Sequence, residues 1–165
     1  MAKQMCTECG QESKVSVEDY EFKESGLSNV VLKGIEVARC KHCKNVDATI
    51  PRLEQLLTAL AIAIVKQPYP LQGEQVRYLR KYLEMSQAVF AKPLKVDKTS
   101  ISKWENDEDK IGPQSDRLIR LVVTALGKGM GDSRDVVNRF NKMVSQRPKR
   151  PMLNLDSKYY HCEYV

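Results

Sequence analysis

Two identical spacings constrain this chain more than anything else in it: Cys6-x-x-Cys9 and Cys40-x-x-Cys43. Each such pair brings two thiolates to one point through a tight turn, and two pairs together read as a closed, tetrahedral four-cysteine zinc site. The residues between the pairs must then fold back on themselves. Segments 15–22 and 30–37 alternate or are rich in β-formers, so strands supporting two knuckles are expected there, as a hairpin or three strands. Gly10 directly follows the first pair and suits such a turn. Four thiolates fill the coordination sphere. One structural Zn2+ per chain is therefore expected, with no open position for a catalytic water. A module of about 50 residues is too small to depend on a hydrophobic core, so metal binding would supply much of its folding free energy.

Disulfides and redox chemistry are the competing readings. The chain shows no secretory signal and is rich in Lys and Glu, so a reducing cytoplasm is expected and disulfides are not. A redox Cys-x-x-Cys would want a thioredoxin-like βαβ setting, which is missing here. His42, between the second pair, reads as a solvent-facing knuckle residue rather than a ligand. Cys162 follows His161 and reads as a lone thiol near the C-terminus.

The second informative stretch is residues 85–106, MSQAVFAKPLKVDKTSISKWEN. It reads as two short helices joined by a tight turn, the layout of a helix-turn-helix that inserts a recognition helix into the DNA major groove. Ser86 is the expected N-cap of the first helix. Phe90, Ala91 and Leu94 follow at helical spacing and are expected to face inward. Val96 would plug the angle between the helices, and Asp97 would cap the second. In that second helix Ile101 and Trp104 share one face. Burying them turns Thr99 and Lys103 outward, with Lys98, Ser100 and Ser102 at the flanks. Lys, Thr and Ser can donate to base acceptors or phosphates. An ordinary helical hairpin with a solvated polar face would show the same spacing.

The wording of the segment resembles the Cro/phage-repressor class of helix-turn-helix domains, the XRE type. Ser86-Gln87, Phe90-Ala91, Ile101-Ser102-x-Trp104-Glu105 and Asn106 stand where that family has them, and the resemblance covers about residues 72–127. It implies base-reading roles for Gln87, Lys98, Thr99 and Lys103. Two positions depart from the pattern. Pro93 lies inside the first helix, where it removes a hydrogen bond. Lys95 takes the turn position that is usually Gly, where a left-handed conformation is strained for a residue with a Cβ.

The expected fold class is α+β and multidomain: a small β-rich four-cysteine zinc module followed by an all-α helix-turn-helix domain. The boundaries read as 1–50 for the zinc module, 51–70 for a helical linker and hinge, 71–131 for the DNA-binding domain and 132–165 for a basic C-terminal extension. Residues 1–50 carry 7 Lys/Arg against 8 Asp/Glu, residues 71–131 carry 11 against 8, and residues 132–165 carry 7 against 4. The basic excess thus lies where phosphate attraction is wanted, not in the zinc module. In the linker, Pro51 suits a helix N1 position. Leu53, Leu56, Leu57, Leu60 and Ile64 recur at helical spacing, and Pro68-Tyr69-Pro70 would make a stiff hinge. This helix is too short to cross a membrane. Gly73–Glu84 opens the next domain as a helix. The acidic run Glu105–Asp109 reads as a solvated loop, and a further helix follows Gly112-Pro113. Residues 133–145 have the pattern of one more amphipathic helix, with Val136, Val137, Phe140 and Val144. Arg147–Pro151 is a basic strip, and Tyr159, Tyr160 and Tyr164 suggest a short strand or docking segment.

A double Cys-x-x-Cys module, then a helix, then an XRE-type domain, resembles in order the MqsA antitoxin family, also called YgiT-type zinc finger proteins, over roughly residues 6–127. That resemblance implies a homodimer that binds a palindromic operator in double-stranded DNA and represses its own operon. It also implies that the zinc module can hold a cognate ribonuclease toxin. Two readings stand side by side: a sequence-specific repressor, with or without a toxin, and a protein-interaction antitoxin whose DNA binding is feedback. An enzymatic reading has no coherent nucleophile–base set, phosphate loop or open metal site to build on.

Overall fold

The structure is a computed structural model that describes residues 3–130 and two strands at 153–156 and 162–164. Along the chain come β1 (Lys3–Met5), β2 (Glu12–Glu21), β3 (Val30–Cys40) and β4 (Val46–Thr49). Five helices follow: α1 (Leu53–Lys66), α2 (Gly73–Tyr82), α3 (Gln87–Leu94), α4 (Lys98–Glu105) and α5 (Pro113–Leu126). Two strands close the order, β5 (Leu153–Asp156) and β6 (Cys162–Tyr164). The β module followed by helices matches the expectation. The described residues fall into two compact units, one holding residues up to 23, residues 29–55 and the two strands after residue 150, the other residues 24–28 and those from 56 to 130.

In the first unit the sheet order is β1-β2-β3-β5-β6, with β4 also paired to β3. The expected strands at 15–22 and 30–37 are real and longer than expected. β2 and β3 run antiparallel from Ser13↔Cys40 to Glu21↔Val31, with a register shift between Glu18 and Tyr20. There β3 carries one extra residue, at Gly34 with φ 66. The bulge resets the side-chain alternation. Val30 and Leu32 before it, and Ile35 and Val37 after it, consequently share one buried face. The other edge of β3 is shared by two partners. β4 pairs antiparallel with Glu36–Arg39, and β5 pairs in parallel with Val30–Lys33. β6 then pairs antiparallel with β5 and carries Cys162 and Tyr164. Of the three tyrosines read as a short strand or docking segment, Tyr164 lies in β6. The expected helix at 133–145, the strip Arg147–Pro151, and Tyr159 and Tyr160 lie outside the described residues.

In the second unit, each helix buries an apolar face. Leu56, Leu60 and Ile64 of α1, Val76 and Leu79 of α2, Phe90 and Leu94 of α3, Ile101 of α4 and Ile119 and Val123 of α5 are all buried. The 51–70 stretch, expected as a helical linker and hinge, holds the expected helix as α1. Residues from Leu56 onward lie within the helical unit, and α1 begins at Leu53. Pro51 therefore is not at N1; it and Arg52, with φ 50, form the turn that precedes the helix. The C-terminal end of α1 is held by Arg120 of α5, fully buried. Its guanidinium donates to the carbonyls of Gln67 at 2.7 Å, Val65 at 3.0 Å and Ile64 at 3.4 Å, and to Tyr69 O. A cation at a helix C-terminus satisfies free carbonyls and complements the dipole. Asp116 balances that charge at 2.8 Å and also accepts from the Leu71 N–H at 2.6 Å. The Pro68–Pro70 segment, expected to be stiff, is thus held by backbone contacts to Arg120 and Asp116 on either side.

Gly73, the first residue of α2, marks a close approach. A Cβ there would stand 2.3 Å from the Trp104 carbonyl oxygen of α4. Its N–H donates to Asp107 Oδ1 at 3.0 Å. Asp107 is therefore engaged, and Glu105 is buried at 4 % exposure. This corrects the reading of Glu105–Asp109 as simply a solvated loop. None of the described helices is long and apolar enough to cross a membrane.

Candidate metal centre and candidate nucleic-acid interface

The knuckles at 6–11 and 40–45 are built alike. Gly10 N–H donates to Cys6 O at 3.0 Å, and Lys44 N–H to Cys40 O at 3.1 Å. Cys6 N–H donates to Gln11 O at 2.8 Å, and Cys40 N–H to Asn45 O at 2.9 Å. Both turns close through a left-handed residue, Gly10 at φ 69 and Lys44 at φ 66. For lysine that conformation carries a strain of roughly 1 kcal/mol that glycine does not.

These turns bring the four cysteines together. The Sγ atoms of Cys6 and Cys43 are 3.5 Å apart, as are those of Cys9 and Cys40. All four sulfurs lie within 4.8 Å of one another. Both contacts are far longer than a disulfide bond, which is about 2 Å. An ion about 2.3 Å from four tetrahedral sulfurs would set them about 3.8 Å apart, so sulfurs gathered this closely could hold a metal ion. His42 is exposed, as expected, and stands outside the ligand set.

The backbone aims N–H groups at the sulfurs. Those of Cys9 and Glu8 outweigh burial and draw the Cys6 thiol down to about 6. The Cys43 N–H, helped by that of His42, lowers Cys40 against its burial. The Gln11 N–H favours the Cys9 thiolate, but burial and the Cys40 and Cys6 thiols outweigh it, so Cys9 is raised. For Cys43 the Asn45 N–H acts in the same sense. It is overcome by the Cys9 thiol, burial and the Cys6 and Cys40 thiols, which push Cys43 up to about 12. Two thiols are thus lowered and two raised, because neighbouring thiolates compete for charge in one site. A bound divalent cation removes that conflict and leaves four thiolate ligands, with no position for a reacting water.

The helix pair α3–α4 follows the expected layout. Ser86 Oγ accepts from the Val89 N–H at 3.3 Å. Pro93 sits inside α3, and Lys95 ends it at φ 54 and ψ 39, so the turn keeps the left-handed conformation despite the Cβ. Val96 is half-buried in the turn. Asp97 stands at the N-cap of α4, but its side chain makes no capping hydrogen bond. Ile101 and Trp104 are buried, while Lys98, Thr99 and Lys103 are exposed and Ser100 and Ser102 half-buried. The exposed face of α4 therefore carries donors, flanked in sequence by exposed Lys92 and Lys95. Lys103 Nζ lies 3.5 Å from Asp109 Oδ2.

Gln87 is placed differently from the other expected base readers. It is half-buried, and its Nε2 donates to Glu105 Oε2 at 2.9 Å. Glu105 also pairs with Arg80, whose Nη2 is 3.0 Å from Oε2, and lies 3.8 Å from Arg77 Nε. Burial alone would raise the Glu105 carboxyl. Hydrogen bonds from Arg80 and Gln87 and the charges of Arg80 and Arg77 outweigh it and hold the group below its ordinary range. Arg77 Nη2 further donates to Glu105 O at 2.7 Å and Asn106 Oδ1 at 2.6 Å. This network ties α2 and α3 to the C-terminal end of α4. The sequence reading missed it because its partners are 18 to 29 residues apart. Comparison with family models, curated proteins and solved structures returns no match for this chain.

Proposed function

We infer that this protein is a sequence-specific DNA-binding transcriptional regulator, with α3–α4 as its helix-turn-helix and zinc as the structural ion of its four-cysteine site. The observation that carries this reading is the division of α4 into two faces. Ile101 and Trp104 are committed to the core, which leaves Lys98, Thr99 and Lys103 presented outward on one short helix. Lysine and threonine donors on such a face match base acceptors and phosphates in the major groove. The network around Glu105 supports the reading by fixing the base of α4, since a recognition helix must be rigid to read sequence. Zinc is the metal that four thiolates at these separations favour.

The resemblance to the MqsA antitoxin family adds the rest: an autorepressor acting in the cytoplasm as a homodimer on a palindromic operator. A cognate ribonuclease toxin held by the zinc unit is part of the same proposal. Selection of bound sequences from a random duplex pool tests it. The expected result is an enriched palindrome whose half-sites are about one helical turn, ~34 Å, apart. A pool that stays random after repeated selection would contradict sequence reading.

A further inference from the structure

The C-terminal end of α4 is closed by backbone bonds that set a carboxylate beside one of the exposed lysines. Asp107 N–H donates to Trp104 O at 3.1 Å and Glu108 N–H to Lys103 O at 2.9 Å, with Asp107 left-handed at φ 55. That pair of bonds ends a helix tightly and usually has glycine at the left-handed place. Here the Asp107 side chain is used, accepting from the Gly73 N–H at 3.0 Å. The Asp109 N–H reaches the same Lys103 carbonyl at 3.4 Å. The turn thus carries residue 109 back beside the helix, and its Oδ2 stands 3.5 Å from Lys103 Nζ.

Helix stability does not account for this arrangement. A helix C-terminus is the negative end of its dipole, where anions are unfavourable and cations favourable. Glu108 and Asp109 nevertheless follow α4 closely, and both are exposed. Nor is the pairing general. Lys92, Lys95, Lys98 and Lys103 are all exposed on or beside α3 and α4, and among the described residues only Lys103 is in an ion pair. An exposed pair of this kind contributes little to stability. What it changes is what the lysine binds.

We propose that Asp109 is a positioning residue that sets specificity: it holds Lys103 for the base edges of the recognised duplex and keeps it off phosphates. This rests on the reading of α4 as a recognition helix and deepens it. A lysine ammonium is a point charge on a flexible stem, and it settles on phosphates anywhere along a duplex. A phosphate that approaches Lys103 meets the like charge of Asp109. The N7 and O6 atoms of guanine are uncharged acceptors and do not. Lys103 is thereby kept for the contacts that carry sequence information.

The test measures binding of full-length, zinc-loaded chains to a duplex of the protein's own upstream DNA and to an unrelated duplex, by fluorescence anisotropy over a range of salt concentrations. Asp109→Asn removes the charge and keeps the shape. The expected result is a preference for the upstream duplex reduced about threefold, the size an exposed ion pair carries. The salt slope on the unrelated duplex should become steeper by about 1, as Lys103 gains a phosphate. Asp109→Glu should restore part of the preference. Glu108→Gln removes the same charge one residue away and should keep the wild-type preference. In a Lys103→Gln background, Asp109→Asn should change neither quantity. Equal tightening on both duplexes, an equal loss of preference in Glu108→Gln, or an effect that persists without Lys103 would overturn the proposal. Those outcomes leave the reading of α4 standing. A wild-type chain with no preference between the duplexes defeats that reading, and the proposal with it.

Discussion

Lys44 and Gly10 hold the same place in two equivalent turns, yet only the glycine is unstrained at φ near 70. Lys44→Gly should therefore raise the stability of the metal-loaded protein, by up to about 1 kcal/mol after the glycine's own entropy cost is set against the relieved strain. Urea midpoints of the two proteins measure this, and a lower midpoint for the variant would contradict it. Glu105 is the opposite case, a charge whose surroundings need it. Glu105→Gln leaves Arg80 facing a neutral partner and should destabilise the helical unit by roughly 3 kcal/mol near neutral pH. Because the Glu105 carboxyl is lowered in the fold, its contribution is complete above the ordinary carboxylate value of about 4.3. It is lost as pH falls through the lowered value. The stability gap between wild type and variant should accordingly close on acidification below about pH 4, as followed by thermal melts across pH. A gap that stays constant would mean that the ion pair is not its source.

At the scale of elements, what could be read in advance was local. Ser86 as a cap, and Ile101 with Trp104 as the buried face of α4, each depend on residues within one turn of each other. The two strands at 15–22 and 30–37 declared themselves by alternation. The bulge at Gly34 did not, because only the partner strand reveals that β3 carries an extra residue. Arg120 and Glu105 were illegible for a related reason: their partners are distant in sequence, and a buried charge looks like an exposed one until those partners are known. The largest surprise is β5. Nothing in the sequence 153–156 says that it will pair in parallel with Val30–Lys33, over a hundred residues earlier. A chain ending at residue 150 would leave that edge of β3 unpaired. It should lose zinc to a chelator faster than the full chain while the helical circular dichroism persists. Equal rates would mean that β5 and β6 do not support the metal-bearing sheet.

For the whole molecule, the stability of the two units has different origins. The helical unit has a core of ten or more buried apolar side chains and a satisfied polar frame around Arg120. The sheet unit must gather four cysteines whose thiolates repel one another without a cation, so a metal ion should contribute much of its folding free energy. Chelation should therefore unfold the sheet unit first, in a transition separate from that of the helices, and Cys9→Ser should reproduce it. Calorimetry with and without chelator would show this as one transition lost and one retained; loss of both together would contradict it. The functional claim sits above these. Gel-shift binding of the full-length protein to its own upstream DNA, against an excess of unrelated duplex, tests it most directly. The expected result is a discrete complex that survives competition and is weakened by Lys103→Ala. A complex that the unrelated duplex removes as readily as the specific one would contradict it.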